Sequence, residues 1–436
     1  MKKTLLTICL VWMCFSLSAQ KIIDLSGKWS FSIDRQDNGE KEKWFSHTLN
    51  DFINLPGSMP EKLKGDEVTA KTQWTGSLYD SSYYYNPYME KYRKEGNIKF
   101  PFFLTPDKHY VGAAWYQKEV NIPADWKGER ILLFLERPHI ETTVWVNGQK
   151  TGMQNSLCVP HQYDITRYVR PGKCTITIRV DNRIKEINVG PDSHSITDQT
   201  QGNWNGIVGR ICLQTTPKTY FDDIQIYPEP EQKLARVKVV IKGTGTAKVK
   251  LSAESFNTDK KHIVPAIQQE IKLNKGVTET EMVLPMGNDM LLWDEFHPAL
   301  YKLKAEVTNG KKTEIKEIQF GMRRFEIKGK WFYVNGRKTQ LRGTVENCDF
   351  PLTGYAPMDV ESWERVFRIC RSYGLNHMRF HSFCPPEAAF MAADRVGFYL
   401  QPEGPSWPNH GPKLGLGQPI DKYLMDETIA LTKEYG

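Results

Sequence analysis

At 436 residues, with 40% apolar and 25% charged side chains, the chain has an ordinary globular composition, and its length suits about three domains. Its formal charge of +7 contains no block of like charges, which excludes a nucleic-acid footprint of clustered Lys and Arg. The stretch Lys233-Leu234-Ala235-Arg236-Val237-Lys238 alternates instead, as the solvated face of a sheet does.

The chain opens with Lys2 and Lys3, an apolar run from Leu5 to Leu17 and the small-residue stretch Ser18-Ala19-Gln20. This is the pattern of an export signal over residues 1–20, too short in its apolar part to stay as a membrane span. No cysteine follows a lipobox-like triplet and no second run reaches spanning length. The expected location is therefore periplasmic or extracellular, without a membrane anchor. Eight cysteines fall to six once Cys9 and Cys14 leave with the signal. Their spacing matches no metal motif and is too sparse for a disulfide scaffold. No cofactor is expected.

Residues 21–217 read as all-β. Trp29, Phe31 and Ile33 alternate with polar neighbours in a strand spanning residues 22–34, and further strands are predicted at 113–121, 130–136, 140–147 and 174–181. Asn147-Gly148 supplies a tight hairpin. Many short strands with Gly, Pro and Asn turns indicate a two-sheet sandwich or jelly roll. Between Thr69 and Tyr110 the aromatics Trp74, Tyr79, Tyr83, Tyr84, Tyr85, Tyr88, Tyr92, Phe100, Phe102 and Phe103 follow no period. A functional edge loop and a self-packed cover fit this stretch equally well.

Residues 218–323 show period-two alternation at 220–227, 235–242, 247–254, 270–273, 278–284 and 301–307. About seven strands in about 100 residues suit an immunoglobulin-like sandwich. Its expected role is that of a spacer.

From residue 324 the pattern changes. Asn335-Gly336 marks another hairpin, and three strand–helix units follow. The strands are predicted at Gln340–Gly343, His377–His381 and Phe398–Gln401, with inner-face residues near Leu341, Met378 and Tyr399. Asp359 N-caps a helix with Trp363, Val366, Phe367 and Cys370 on its apolar face, and Gly374 ends it. Pro385 and Pro386 suit the first turn of the next helix, which Gly397 ends, and a last helix runs from Tyr423 to Tyr435. A (β/α) barrel closes with eight such units, and its site lies at the C-terminal strand ends. About three units are legible here, so residues 324–436 read as an incomplete (β/α)8 barrel. Its strand ends carry Glu346, Asn347 and Asp349, then Arg379 and His381, then Glu403, Trp407 and His410. Convergent buried polar groups of this kind are costly unless paired or used, and an Arg379–Glu403 pair is the structural alternative to a binding role. The spacing of Asp349, Glu403 and His410 matches no tight metal motif.

The order of these pieces resembles family 2 glycoside hydrolases, the group of the bacterial β-galactosidases and β-glucuronidases. The stretches that carry it are Asp24-Leu25-Ser26-Gly27-Lys28-Trp29, Val144-Trp145-Val146-Asn147-Gly148, Val180-Asp181-Asn182-Arg183, His297-Pro298-Ala299-Leu300-Tyr301 and Phe332-Tyr333-Val334-Asn335-Gly336 through Leu341-Arg342-Gly343. The resemblance implies a sugar-binding jelly roll, an immunoglobulin-like domain and a barrel, a carbohydrate substrate, and Asn347, Asp349, Arg379, His381, Glu403 and Trp407 as substrate-binding residues. It also implies a retaining mechanism with two catalytic glutamates, one after an Asn at the fourth strand and one near the seventh. No Asn-Glu pair follows Gly404, so no catalytic residue is assigned, and the chain is expected to be inactive alone. Two departures stand out. Asn347 occupies a motif where the family usually has His, and His381 lies two rather than three positions after Arg379. Galactosidase or glucuronidase specificity is therefore not carried over. A non-catalytic carbohydrate-binding protein, half of a split enzyme completed by a downstream chain, and a homo-oligomer remain open.

Overall fold

Residues 20–77, 85–99, 106–200, 202–350, 352–408 and 411–436 are described in a computed structural model. The export-signal segment, Tyr79, Tyr83, Tyr84, Phe100, Phe102, Phe103 and His410 lie outside the described residues. Of the remaining aromatics in that stretch, Tyr85 and Tyr88 face solvent and Trp74 packs edge-on against His109.

The first domain stacks two antiparallel sheets. One has six strands in the order Gln149–Gln154, Glu141–Val146, Gly172–Asp181, Ala113–Ile122, Gly27–Asp34 and Asp51–Leu55. The other runs Ile22–Asp24, Gly206–Thr216, Arg130–His139 and His161–Asp164, with Gly57–Ser58 paired to Gly206–Thr216. The inward alternating residues, among them Trp29, Phe31, Leu133, Leu135, Val144, Ile176, Ile178 and Leu213, form one core. The strand expected over residues 22–34 is broken in two. The Asp24 carboxylate accepts the Ser26 N–H at 2.9 Å, Leu25 N–H turns to the Ile211 carbonyl, and Gly27 takes φ +91°. The local side-chain bond substitutes for the ladder, so the two halves enter different sheets.

In the second domain the separate strands expected at 235–242 and 247–254 are one strand, Leu234–Phe256, and those at 270–273 and 278–284 belong to Ile263–Pro285. These pair along nearly their whole length and are joined by Tyr220–Glu229, Leu300–Asn309 and Lys312–Phe320 in a five-stranded sheet. The register shifts between Gly243 and Gly245, and Gly245 and Gly276 sit at φ +84° and +102°. Glycines here bend the hairpin without ending it. Val237, Val239 and Ile241 from one half thus share a core with Val249 and Leu251 from the other.

Phe325–Lys328, Trp331–Val334 and Arg337–Thr339 form a small antiparallel sheet, with Asn335 and Gly336 both at positive φ, as a type I′ turn requires. Three parallel strands follow: Gly343–Glu346, His377–Phe380 and Tyr399–Gln401. Helices Val360–Ser372 and Glu387–Val396 connect them, and Pro419–Tyr435 comes after. The first strand starts at Gly343, three residues later than expected. The Asn376 side chain takes the Arg342 N–H at 2.7 Å, so the ladder to His377 opens only beyond it. The second helix begins after Pro386, its N-cap, and the last begins at Pro419, where Gln418 and Asp421 form a capping box.

Pairing fixes the two faces of this sheet. Thr344, Met378 and Leu400 are lateral partners, and Met378, Phe380 and Leu400 pack with Trp363 and Phe367 of the first helix. Val345, Arg379 and Gln401 share the opposite face. Met378 therefore faces the helices, contrary to the expectation that it lines the inner face. Leu341 precedes the first strand, and of the three residues only Tyr399 lies on the face of Arg379.

The parallel unit docks on the first domain. The Arg137 guanidinium donates to the Leu157, Cys384 and Pro385 carbonyls, and Glu427 accepts the N–H groups of Leu157 and Cys158, both at 3.0 Å. Ile140, Leu157, Val189 and Ile196 meet Ile420 and Tyr423 in a shared apolar cluster. Among the described residues no helix is long and apolar enough to cross a membrane.

Candidate functional site

At the C-terminal end of the parallel sheet, Arg379 leaves the face opposite the helices and its Nε donates to Glu403 Oε1 at 2.5 Å. Glu403 follows the third strand, and its second oxygen accepts the Ser382 N–H at 2.9 Å. Ser382 lies just past the second strand at φ +52°, a left-handed conformation that is uncommon outside glycine. That turn aims its amide at the carboxylate. The pair is half-exposed, with 40% of the Arg379 side chain and 26% of that of Glu403 in contact with solvent.

Beside the pair stands a cluster of three rings. His381 is 4.8 Å from Trp407 and 4.6 Å from His194, and His194 is 5.4 Å from Trp407. His194 belongs to the first domain. Its Nδ1 lies 3.3 Å from Thr200 Oγ1, and it is pushed down to about 4, by burial first and then by the neighbouring His381. His381 is also lowered, by burial and by Arg379, with Glu403 opposing. Near neutral pH both imidazoles are uncharged, so they offer one donor and one acceptor each. An aromatic surface beside neutral imidazoles and a fixed ion pair suits a polyhydroxylated ligand, whose C–H face stacks and whose hydroxyls both give and accept hydrogen bonds.

Four of the six predicted residues, Arg379, His381, Glu403 and Trp407, thus come together. Asn347 and Asp349 do not join them: among the described residues no hydrogen bond or ring contact links either to the Arg379–Glu403 group. They sit in a turn after the first strand, where Glu346 Oε1 accepts the Asp349 N–H at 3.1 Å and Cys348 takes φ +63°. Glu346 lies on the helix side of the sheet, and burial raises its pKa first, with the Asp349 charge adding. The buried Asn347 Oδ1 has no partner among the described residues. Among the described residues no three His, Cys, Asp or Glu side chains converge in a way that would hold a metal.

Sequence reasoning missed the loop that brings His194. Ser193 Oγ donates to the Ser382 and Pro405 carbonyls, Ser195 Oγ donates to the Ser382 carbonyl at 2.7 Å, and Ser382 Oγ accepts the His194 N–H. The Trp407 N–H and Ser406 Oγ both donate to the Val189 carbonyl. This loop has no hydrophobic period, and its partners lie nearly two hundred positions away, so no local signal marks it.

Comparison with known proteins agrees with this architecture. The family described as "Glycosyl hydrolases family 2, sugar binding domain" matches residues 22–217, and "Glycosyl hydrolases family 2" matches residues 219–323. A beta-glucuronidase of Paenibacillus borealis is 23% identical over 407 residues, covering 89% of this chain and 59% of that protein. A beta-galactosidase of Thermoanaerobacter pseudethanolicus is 24% identical over 334 residues, covering 72% of this chain and 42% of that protein. The solved β-glucuronidase of Ruminococcus gnavus shares the fold at TM-score 0.68 and 19% identity, over 95% of this chain and 64% of that one. The chain spans about half the length of the curated relatives it matches. Its two β domains, their order and these matches give one conclusion: the chain belongs to glycoside hydrolase family 2.

Proposed function

We propose that this chain is the N-terminal portion of an exported, exo-acting, retaining glycoside hydrolase that degrades β-linked glycosides. The observation that carries the reading is the Arg379–Glu403 pair with the His381, Trp407 and His194 rings at the C-terminal strand ends, where a (β/α) barrel does its chemistry. The relatives named above act on glycosides of this class by name, and their greater length supports reading the three parallel strands as the opening of an eight-unit barrel. Residues 21–217, 218–323 and 324–436 are the corresponding domains, and residues 1–20 are an export signal directing the chain to the periplasm or beyond.

Retaining hydrolysis needs two carboxyl groups about 5–5.5 Å apart across the anomeric carbon. Glu403 is bonded to Arg379 and Ser382, and Glu346 is turned to the helix side, so neither has a carboxylate partner across a sugar. The acid/base and the nucleophile are supplied by further βα units, in a continuation of the polypeptide or in a complementing chain. On this reading the 436 residues bind sugar without hydrolysing it. Two measurements test it: ligand-observed NMR with methyl β-glycosides, expected to show binding, and assay against a panel of aryl β-glycosides, expected to show no turnover. Turnover that survives purification would refute the division of labour, and failure to bind any neutral or acidic methyl glycoside would refute the sugar site.

A further inference from the structure

Several of the first domain's contacts to this site converge on one residue of the parallel unit, Ser382. Ser382 takes four hydrogen bonds, one within the parallel unit and three from the first domain. Its N–H holds Glu403, its carbonyl accepts the hydroxyls of Ser193 and Ser195, its Oγ accepts the His194 N–H, and the Ser193 hydroxyl is shared with the Pro405 carbonyl two residues beyond Glu403. Ser193, His194, Ser195 and Ser382 are all buried. A non-glycine residue at φ +52° costs of order 1 kcal/mol and persists only where its surroundings hold it. Here the restraint comes from the other domain.

We propose that Ser382 is a positioning residue for the Arg379–Glu403 pair, held in its left-handed turn from across the domain boundary by Ser193 and Ser195. The two serine hydroxyls pin the carbonyl of Ser382. The peptide plane that follows is thereby fixed, and with it the conformation in which the preceding amide meets Glu403 Oε2. That amide leaves Oε1 as the oxygen facing Arg379. The sugar-binding domain thus sets the geometry of a carboxylate that belongs to the neighbouring domain. Docking of the two domains and competence of the strand-end site are one event. The inference rests on reading the strand ends as a sugar site, and its test includes a readout that does not depend on sugar.

The test uses the full chain carrying Ser193→Ala with Ser195→Ala. The Arg379 Nε–H resonance, assigned by its loss in Arg379→Lys, reports the bond to Glu403 directly, and methyl β-glycoside affinity reports the site. The resonance is expected to move towards that of a solvated arginine and affinity to fall on the order of ten-fold, equivalent to one charge-assisted hydrogen bond mispositioned. Ser195→Thr, which keeps the hydroxyl, should restore both. Ser382→Gly, which keeps the amide and tolerates positive φ, should keep the resonance. If the double variant does not fold, Ser195→Ala alone removes the 2.7 Å bond and is expected to show the same shift at smaller amplitude. An unchanged Arg379 resonance in a folded variant would overturn the proposal. Absence of sugar binding by the unmodified chain would count against the functional reading, and the resonance would still decide this one.

Discussion

Lowering the pH from 7 to 5 should destabilise the first domain through its buried histidines, and His161 allows the effect to be isolated. Its side chain is fully buried, with Nδ1 2.6 Å from Thr142 Oγ1 and Nε2 3.0 Å from the Ser156 carbonyl. A carbonyl only accepts, so Nε2 carries the proton and Nδ1 receives one from Thr142, which describes a neutral ring. Burial pushes the group down from 6.5 to about 4. In the unfolded chain it returns to about 6.5. Below pH 6.5 the unfolded state therefore binds a proton that the folded state refuses. Stability conferred by the neutral ring is complete above pH 6.5, falls by roughly 1.4 kcal/mol per pH unit, and reaches its floor near pH 4. At pH 5 the loss is about 2 kcal/mol from this residue. His139, pushed down to about 3 chiefly by burial, and His194, to about 4, act in the same direction. Glu427 and Glu434, whose pKa values burial raises, act in the opposite one. Because these terms mix, the quantity to measure is the difference between the wild type and His161→Gln. Urea unfolding followed by tryptophan fluorescence at pH 7, 6 and 5 should show the variant less stable at pH 7 but with a slope shallower by about one proton. Equal slopes would refute the assignment of His161 as a buried neutral ring.

Glu403→Gln should abolish methyl β-glycoside binding while shifting the melting temperature little, because a half-exposed ion pair contributes only about 0–1 kcal/mol to stability; calorimetry alongside NMR titration checks both. Gly206→Ala should cost more than about 2 kcal/mol in a thermal melt, since its Cβ would sit 2.4 Å from the Gly57 carbonyl oxygen at φ +150° and would force the Gly57–Ser58 strand away. Glu427→Ala leaves the buried Leu157 N–H without its acceptor and the Cys158 N–H with Ser156 Oγ alone, at a cost of about 1–3 kcal/mol in a thermal melt. Limited proteolysis should then cleave residues beyond Gly343 early while the first domain survives.

What could be read from the chain, and what could not, divides along the range of the interactions involved. The half-buried strands around Trp29, Val144 and Ile178 were legible because a two-sheet domain imposes strict alternation on each strand independently. Asn335-Gly336 and the Asp359 cap were legible for the same reason, since their chemistry closes within a few residues. The breaks were harder. Nothing in the apolar pattern separates Asp24 from Gly27, because the switch of sheets is made by a carboxylate that intercepts one amide. The long hairpin of the second domain reads as four strands because glycines at 243, 245 and 276 look like ends, yet a glycine bulge continues a ladder as readily as it stops one.

The strand-end site shows the same division at higher stakes. Arg379 and Glu403 were legible as polar groups at the ends of apolar strands, and their pairing was foreseen as the structural alternative to a binding role. The two readings need not compete. A carboxylate that only neutralised Arg379 would need no second donor, whereas Glu403 is held at both oxygens, the second by an amide kept in a strained turn. A left-handed turn at a non-glycine residue persists only where its surroundings hold it, so the second bond fixes the carboxylate more tightly than neutralising Arg379 requires. The residues that maintain that strain, Ser193 and Ser195, are ordinary loop serines in sequence. Only the packing of two domains gives them a role, and for that reason composition and spacing are silent about the half of the site that the sugar-binding domain supplies.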